Sequence, residues 1–471
     1  MRRRTVLLAG SALGLSGAGL GWLFLGSRKT PAESPSDGPG GFVRPSATPA
    51  TKGRWRAAVE ASVLATPLRG DTDLYVIGPG GVVYALDVST GATRWQVNTG
   101  LAVHAGVRSF DGVLVVGGAL IDDPELSGAV VGLDPAGRQR WRTPMPSNVN
   151  VASTLAAGNV IVGDSDGMLY GLDPVTGQPR WSTTVPGGDW GIHHLATVGE
   201  TVLVEGVRSF ARGQTATFCA VNGASGELRW HAEVGAARWR AVGPGAAPQP
   251  PVRAWRLAWL STASDGIVHL IRQRVVIAAD DPPDNIRYDL AAFDVNAGKP
   301  LWGTVAHRME HDPLLHDGTL YLMSRERLGG PARIQALDAR TGREKWIYRP
   351  VGEAAKILGD DRDHHFAADS GVVCVGGVCG LVALSVDTGI ERWHATVPEF
   401  SHPATPVAHD GVVYMRRWED QVGGVWRWRI ADGVAQSPIE PPSIYGKLFV
   451  IERTLYMITA DALYSIDLPA E

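Results

Sequence analysis

The stretch Ala85–Trp95 reads ALDVSTGATRW, and it returns in similar form as GLDPVTGQPRW at Gly171–Trp181 and ALDARTGREKW at Ala336–Trp346. Seven strong copies of this phrase occur, and successive tryptophans are separated by 46, 40, 49, 72, 44 and 47 residues. A period of about 40–50 residues is typical of repeat architectures such as propellers. The seven tryptophans are Trp95, Trp141, Trp181, Trp230, Trp302, Trp346 and Trp393.

Each repeat has the pattern of a small β-meander. The alternation in Tyr84–Asp87 predicts a strand. The carboxylate of Asp87 can cap the following turn, and Gly91 can take a positive φ there. The next strand carries Trp95, and β-rich runs such as LYVIG precede the phrase. Four short strands per repeat predict the blade of a β-propeller. The equivalent turn glycines include Gly177, Gly342 and Gly389.

The two ends of the repeat region complement each other. LYSID at Leu463–Asp467 is the first half of the phrase without a second half, and GRW at Gly53–Trp55 is a second half without a first. Pairing them would place both termini in one blade and remove the exposed edges of the sheet. Another copy, around Asp432-Gly433, has lost its tryptophan.

The phrase A-x-D-x-x-T-G-x-x-x-W resembles the tryptophan-docking repeat of the pyrroloquinoline-quinone (PQQ) type propellers, the quinoprotein alcohol dehydrogenase-like superfamily. The match runs from about Arg54 to Asp467. The resemblance implies an all-β propeller of four-stranded blades, usually eight in this group. Eight blades are favoured, and nine units can be counted if the degenerate copy and the split closing unit both form blades.

The recurring tryptophans, with Trp55 at the N-terminal edge, are interpreted as structural. Burying one indole removes about 150–250 Å² from water. A tryptophan repeated in every blade is therefore expected to pack blades together and not to stack a cofactor.

The superfamily contains both enzymes and non-catalytic relatives, such as the propeller lipoprotein of the outer-membrane assembly machinery. The resemblance implies, for the dehydrogenases, an adjacent Cys-Cys disulfide over the quinone, a calcium ion held by Glu, Asn and Asp, and a catalytic Asp. The three cysteines here are Cys219, Cys374 and Cys379, so none are adjacent and none forms an N-terminal lipobox. We therefore expect no enzyme and no cofactor, with a PQQ- and calcium-dependent dehydrogenase as the alternative.

A histidine recurs where the innermost strands are expected to begin. These candidates for one mouth of the central channel are His104, His193, His194, His311, His364, His365 and His402. Lengthened loops between second and third strands, at Ile121–Gly128, Asp280–Asp289 and Arg416–Gly424, fall on the same face. Per-repeat insertions on one face commonly mark a binding face. The hypothesis is a funnel for a ligand, a metal ion or a partner peptide; the alternative is a water-filled channel with incidental histidines.

Two short motifs have simpler interpretations. GDSDG at Gly163–Gly167 fits a nucleophile pattern, but it joins two predicted strands, so a hairpin turn is expected. Cys374 and Cys379 would face each other if Gly376-Gly377 formed a two-residue turn, at a spacing compatible with a disulfide. Two free, buried thiols beside a longer turn are the alternative.

The N-terminus predicts export. Three arginines, in a sequence similar to a twin-arginine signal, precede the uncharged stretch Thr5–Gly26. As an α-helix this stretch is about 33 Å long, enough for a bilayer core of about 30 Å. Residues 1–26 are thus either a cleaved signal peptide or a membrane anchor, residues 27–53 a Pro/Gly/Ser-rich tether, and residues 54–471 the propeller. Arginines on the N-terminal side leave the remainder outside the cytoplasm.

The sequence therefore predicts an extracytoplasmic, monomeric binding or scaffold propeller, membrane-tethered or secreted, with a protein partner or small ligand on its funnel face. A net charge of −4 gives no indication of nucleic-acid binding. Two alternatives are the quinoprotein dehydrogenase and the sensor domain of a membrane signalling system.

Overall fold

The computed structural model describes residues 55–59, 67–103, 106–121, 127–149, 153–186, 191–208, 215–234, 254–275, 286–306, 308–309, 313–326, 330–359, 364–377, 379–397, 405–419, 422–439, 448–458 and 462–468. Within these ranges, 38 strands form nine antiparallel sheets, each one blade. The favoured count of eight blades was wrong, because the copy without a tryptophan and the split copy both form complete sheets. None of the described helices is long and apolar enough to cross a bilayer.

The first four blades follow one another along the chain. Blade 1 contains β2 (Leu68–Arg69), β3 (Asp73–Ile77), β4 (Val82–Asp87) and β5 (Thr93–Asn98). Blade 2 contains β6 (Leu101–Ala102), β7 (Arg108–Phe110), β8 (Val113–Leu120), β9 (Gly128–Leu133) and β10 (Gln139–Met145). Blade 3 contains β11 (Thr154–Ala156), β12 (Asn159–Gly163), β13 (Met168–Leu172) and β14 (Pro179–Thr184). Blade 4 contains β15 (Ile192–Val198), β16 (Thr201–Arg208), β17 (Thr215–Asn222) and β18 (Leu228–Val234).

The next four blades continue this order, with one helix in a link. Blade 5 contains β19 (Ala254–Ser264), β20 (Ile267–Val275), β21 (Ile286–Asp294) and β22 (Pro300–Ala306). Blade 6 contains β23 (Arg308–Met309), β24 (Leu314–His316), β25 (Thr319–Arg325), β26 (Ala332–Asp338) and β27 (Glu344–Tyr348), and helix α1 (Gly352–Ile357) follows it. Blade 7 contains β28 (His365–Asp369), β29 (Val372–Gly377), β30 (Gly380–Ser385) and β31 (Glu391–Thr396). Blade 8 contains β32 (Val407–His409), β33 (Val412–Glu419), β34 (Val422–Arg429) and β35 (Ala435–Ile439).

Blade 9 joins the two ends of the repeat region, as the sequence predicts. It contains β36 (Leu448–Ile451), β37 (Thr454–Ile458), β38 (Leu463–Asp467) and, as its outermost strand, β1 (Trp55–Ala57). Trp55 pairs with Ser465. First strands of neighbouring blades, such as β11 with β15 and β28 with β32, contact each other, so the first strands line the centre of the ring.

A single contact recurs at eight of the nine blade interfaces in the described part of the chain. The outer-strand tryptophan of one blade covers the turn glycine of the next blade and donates its indole N–H to a carbonyl of that turn. Trp346, for example, donates to Val386 O at 2.7 Å and lies against Gly389. We call this contact the tryptophan lock. The donor–acceptor pairs are Trp55–Val88, Trp95–Pro135, Trp141–Pro174, Trp181–Gly223, Trp230–Val295, Trp302–Ala339, Trp346–Val386 and Trp393–Ile430.

The interface between blades 8 and 9 is built differently. Ser437 occupies the tryptophan position, four residues after Gly433, and Arg427 occupies the third-strand position that is Ala, Gly or Ser in the other blades. Arg427 is only 7% exposed, and its Nε and Nη2 donate to Ser437 O at 2.8 and 2.6 Å. An apolar cluster that includes Ile439, Leu455 and Leu468 joins the two blades.

An aspartate holds the turn together in five of the eight locked turns. Asp173 Oδ1 accepts the backbone N–H groups of Val175 and Thr176, both at 2.8 Å, and Oδ2 accepts from Arg180 Nη2. The bond from Thr176, together with those from Arg180 and Val175, lowers the pKa of Asp173 to about 2. Hydrogen bonds from Arg94, Ser89 and Thr90 likewise lower the pKa of Asp87.

Adding one methyl group to a locked glycine should open an interface. Gly389 and Gly371 have similar φ values, +68° and +72°, but a Cβ would lie 2.5 Å from Trp346 Cδ2 at Gly389 and would meet nothing within 4 Å at Gly371. Both alanine variants incur left-handed strain of about 1–2 kcal/mol, and overpacking adds about 1–3 kcal/mol to Gly389→Ala alone. Urea unfolding of both variants measures the difference; equal losses would show that the tryptophan contact does not constrain the turn.

Acid should weaken the turns through the paired aspartates. Because the pKa of Asp173 is lowered to about 2 from its ordinary 3.8, its ionised form stabilises the fold above about pH 3.8 and this contribution is lost as the pH falls toward 2. Asp173→Asn should therefore lower the urea midpoint at pH 7, and its difference from the unsubstituted chain should shrink between pH 4 and pH 2. A difference independent of pH would contradict this.

Candidate functional site

The two faces of the ring are made of different connections. In an antiparallel meander, the turns from first to second strand and from third to fourth strand lie at one end of the blade. We call this end the turn face. The starts of the first strands, the second-to-third connections and the links between blades lie at the other end, which we call the funnel face. Because every lock joins the same parts of successive blades, all blades point the same way.

The predicted funnel histidines divide into two described pairs and three others. His193 and His194, at the start of β15, are exposed. His364 is buried and His365 is partly buried, at the start of β28. These pairs lie on the funnel face in blades 4 and 7, with two blades between them. His104, His311 and His402 fall outside the described residues.

The hairpin Gly163–Gly167 is a structural turn of the funnel face. Asp164 is fully buried, and its Oδ1 accepts the backbone N–H groups of Asp166 and Met168 at 3.0 and 2.8 Å. Its Oδ2 accepts from Tyr170 OH at 3.1 Å. Burial raises the pKa of Asp164, although these hydrogen bonds act to lower it. Since Ser165 sits between strands β12 and β13, the serine has the setting of a turn residue and not of a nucleophile.

Helix α1 is a funnel-face element that the repeat pattern does not predict. Its buried residues Ala354 and Ile357 face blade 7, and Gly377 lies so close that a Cβ there would be 2.1 Å from Ile357 O. Arg325, 1% exposed at the end of β25, donates to Gly330 O at 2.7 Å and to Leu358 O at the end of the helix. A guanidinium is favourable at a helix C-terminus. The composition GEAAKI is the one sequence signal for this helix.

The lengthened connections agree only in part with the prediction. The connection of blade 2 follows β8 from Ile121, with residues 122–126 outside the described part of the chain. Most of the Asp280–Asp289 segment lies outside it as well, although β21 already begins at Ile286. The loop predicted at Arg416–Gly424 was wrong: Arg416 pairs with Val425 and Glu419 with Val422, so this segment is a long β-hairpin.

Of the two alternatives for the cysteine segment, the two-residue turn at Gly376-Gly377 was wrong. Gly376 pairs with Leu381 and Gly377 with Gly380, so both glycines belong to strand β29 and do not form the turn. Cys374 consequently lies opposite Ala383, and Cys379 lies in the turn beneath α1. The thiols of Cys374 and Cys219 are buried and reduced, and the half-buried Cys379 Sγ donates to Lys356 O at 3.7 Å. Gly377 packs against the end of α1, and this contact fixes the longer strand.

These cysteines do not fit the PQQ site of a quinoprotein dehydrogenase. Cys219 lies in blade 4, whereas blade 7 carries Cys374 within β29 and Cys379 in the turn before β30. No three His, Cys, Asp or Glu side chains among the described residues are grouped to hold a metal ion.

The class of protein defined by this architecture is a tryptophan-docked β-propeller with nine blades. The family described as outer membrane protein assembly factor BamB matches residues 47–153, 143–245 and 250–468. The chain belongs to this family.

Three individual relatives share between 18% and 34% sequence identity with this chain. The assembly factor BamB of Burkholderia pseudomallei is 25% identical over 320 residues, which are 65% of this chain and 74% of the relative. The serine/threonine-protein kinase AfsK of Streptomyces griseus is 34% identical over 165 residues, 32% of this chain but only 19% of the kinase. The crystal structure of BamB from Moraxella catarrhalis covers 88% of this chain and 98% of its own, with 18% identity and a TM-score of 0.47.

Thiol labelling should separate the three cysteines. Burial raises the pKa of Cys219 to about 12 and also raises that of Cys374, while Cys379 is partly exposed. The thiolate is the reactive form, so iodoacetamide should label Cys379 at least ten-fold faster than the other two in the folded full chain, as read by mass spectrometry. Cys379→Ser should abolish the fast phase. A Cys374–Cys379 disulfide would instead protect both until a reductant is added.

Proposed function

We propose that the chain is an extracytoplasmic, membrane-tethered scaffold that binds a protein partner at its funnel face and catalyses no reaction. The observation that carries this proposal is the difference between the faces. The turn face repeats one glycine turn in eight blades of the described chain, whereas the funnel face differs from blade to blade. Helix α1 stands in the link between blades 6 and 7, the pair His193–His194 is exposed while its counterpart His364–His365 is more buried, and the second-to-third hairpin is long at β33–β34 but tight at Gly163–Gly167. Non-repeated elements gathered on one face are typical of a binding face.

The spread of these elements favours a protein over a small ligand. They belong to blade 4, to the link between blades 6 and 7, and to blade 8. A ligand that contacts all of them must extend across the ring, and a stable protein interface buries about 1,200–2,000 Å² in total. Relatives named as outer-membrane assembly factors support a scaffold role.

A second candidate function is a sensor module of a membrane signalling system. The 34% identical segment of a serine/threonine kinase favours it, although that segment is about a fifth of the kinase. In this version the same face binds a signalling partner or its ligand. The predicted anchor, residues 1–26, would hold either version at the membrane; it lies outside the described residues.

Site-specific photo-crosslinking in the membranes of the producing cell tests the proposal. A photoreactive residue at His194 or Val351, both exposed on the funnel face, should capture one defined membrane partner, whereas one at exposed Val175 on the turn face should not. Replacing both histidines, His193→Ala with His194→Ala, should reduce capture at Val351 at least ten-fold. Capture from both faces alike, or unchanged capture after the double replacement, would refute a histidine-bearing binding face.

The identity of the captured protein separates the two candidates, and thermal unfolding tests the enzyme alternative. A component of membrane-protein assembly supports the scaffold, and a kinase supports the sensor. PQQ with calcium at 100 times a dissociation constant would add about 2.7 kcal/mol of apparent stability. Such a shift, with reduction of an electron-accepting dye, would replace the proposal by a dehydrogenase.

A further inference from the structure

Both ends of the described chain lie on the turn face. Trp55, the first described residue, begins β1 beside the third-to-fourth turn of blade 1, since its indole covers Gly91 and donates to Val88 O at 2.7 Å. At the other end, Leu468 N donates to Arg453 O at 3.0 Å, next to the first-to-second turn of blade 9. The 54 residues that precede Trp55, including the uncharged stretch Thr5–Gly26, are therefore joined to the propeller on this face.

The outer edge of the turn face carries exposed apolar side chains. Among the described residues, eight large hydrophobic side chains are exposed, and five of them lie beside a third-to-fourth turn. We call these five the turn rim: Val175 of blade 3, Leu228 of blade 4, Leu301 of blade 5, Ile390 of blade 7 and Val434 of blade 8. Three are at least half exposed, Val175 at 63%, Ile390 at 67% and Val434 at 50%. Five of the nine blades therefore present an exposed apolar side chain on the turn face.

The charges of the turn face have both signs. Exposed side chains of both signs lie beside the rim: Arg392 and Asp387 flank Ile390, and the carboxylates Glu227 and Asp432 lie next to Leu228 and Val434. The first-to-second turns nearer the centre carry exposed carboxylates, including Asp111 and Asp265. Because carboxylates lie both beside the rim and nearer the centre, this surface gains little from an anionic membrane, and the apolar side chains are the groups that a neutral bilayer interface would bury.

From this arrangement we infer that the turn face is the membrane-proximal face, with the turn rim seated on a zwitterionic bilayer surface and the funnel face turned away from it. The inference rests on the proposed membrane tether. The tether, residues 27–53, reaches at most about 95 Å at about 3.5 Å per residue, so the covalent link alone permits either face to approach the bilayer. The apolar rim favours the turn face as the side that contacts the bilayer. Because the tether also joins the propeller on the turn face, this face can approach the bilayer without the tether passing around the ring.

Fluorescence quenching in vesicles measures the orientation. The full chain, with Cys379→Ser, is reconstituted in phosphatidylcholine–phosphatidylethanolamine vesicles with a spin label on the lipid headgroups. A fluorophore is attached through Val434→Cys on the turn face or Val351→Cys, 75% exposed, on the funnel face. Quenching should be at least three-fold stronger at position 434. Equal or inverted quenching in chain that floats with the vesicles would overturn the orientation while leaving the tether intact.

Matched pairs of replacements test the apolar contacts. Ile390→Ser with Val434→Ser should reduce quenching of a label at Val175→Cys at least two-fold, whereas Ile121→Ser with Val351→Ser, two exposed apolar residues of the funnel face, should leave it unchanged. Failure of the unsubstituted chain to float would overturn both the tether and the seating. If a second copy of the chain covers the rim instead, position 434 stays unquenched and the rim replacements lower the sedimentation mass, which also overturns the proposal.

Discussion

The whole ring depends on an indole fitting over a turn that has no side chain. At Gly342, for instance, φ is +69° and a Cβ would lie 2.5 Å from Trp302 Cδ2, so the residue must be glycine both for its backbone angle and for the space above it. The same tryptophan donates to Ala339 O at 3.1 Å, which fixes the ring plane relative to the turn. Because a lock always runs from the outer strand of one blade to the third-to-fourth turn of the next, it gives the ring a direction. The ring closes only when the N-terminal strand supplies Trp55 to blade 1.

This directionality explains the single interface that lacks a lock within the described chain. The lock from blade 8 would have to enter the third-to-fourth turn of blade 9, but the third and fourth strands of that blade, β38 and β1, come from opposite ends of the repeat region and no turn joins them directly. A tryptophan on β35 would have no glycine to cover. In blade 8 the sizes of the two side chains are exchanged. The outer strand carries the small residue Ser437, and the third strand carries the large residue Arg427. Elsewhere the third strand carries a small residue, such as Gly132 or Ala383, opposite its tryptophan. Blade 8 therefore lacks the tryptophan at the one interface where the next blade has no third-to-fourth turn to receive it.

The sequence was sufficient for the repeat unit, because the lock requires fixed residues at fixed spacing, and insufficient wherever the lock is absent. The pairing of Leu463–Asp467 with the N-terminal strand followed from the split phrase. The sequence allowed nine repeat units to be counted, but eight blades were favoured because eight is usual in the superfamily it resembles; blade 8, which keeps the turn Asp432-Gly433 without the tryptophan, is nevertheless a complete sheet. The two-residue cysteine turn was wrong for a different reason. Two adjacent glycines suggest a turn, yet Gly377 remains in the strand because the end of α1 approaches its Cα. The contact between Gly377 and α1 comes from a link between blades, and because the links do not repeat in sequence, the repeat pattern cannot predict it.

The same reasoning separates the two faces in function. On the turn face, each side chain near a lock is constrained by the turn, so variation is confined to rim positions such as Ile390 and Val434 that point to solvent. On the funnel face, a second-to-third connection meets no tryptophan and can become a tight hairpin at Asp164 or a long one at Arg416–Val425. A link can likewise become a helix that takes a buried Arg325 as its cap. Recognition of one particular partner needs features that are not repeated nine times, and the packing of the ring leaves room for such features on the funnel face. The similar turns of the turn face can instead contact a uniform surface, and a bilayer is such a surface.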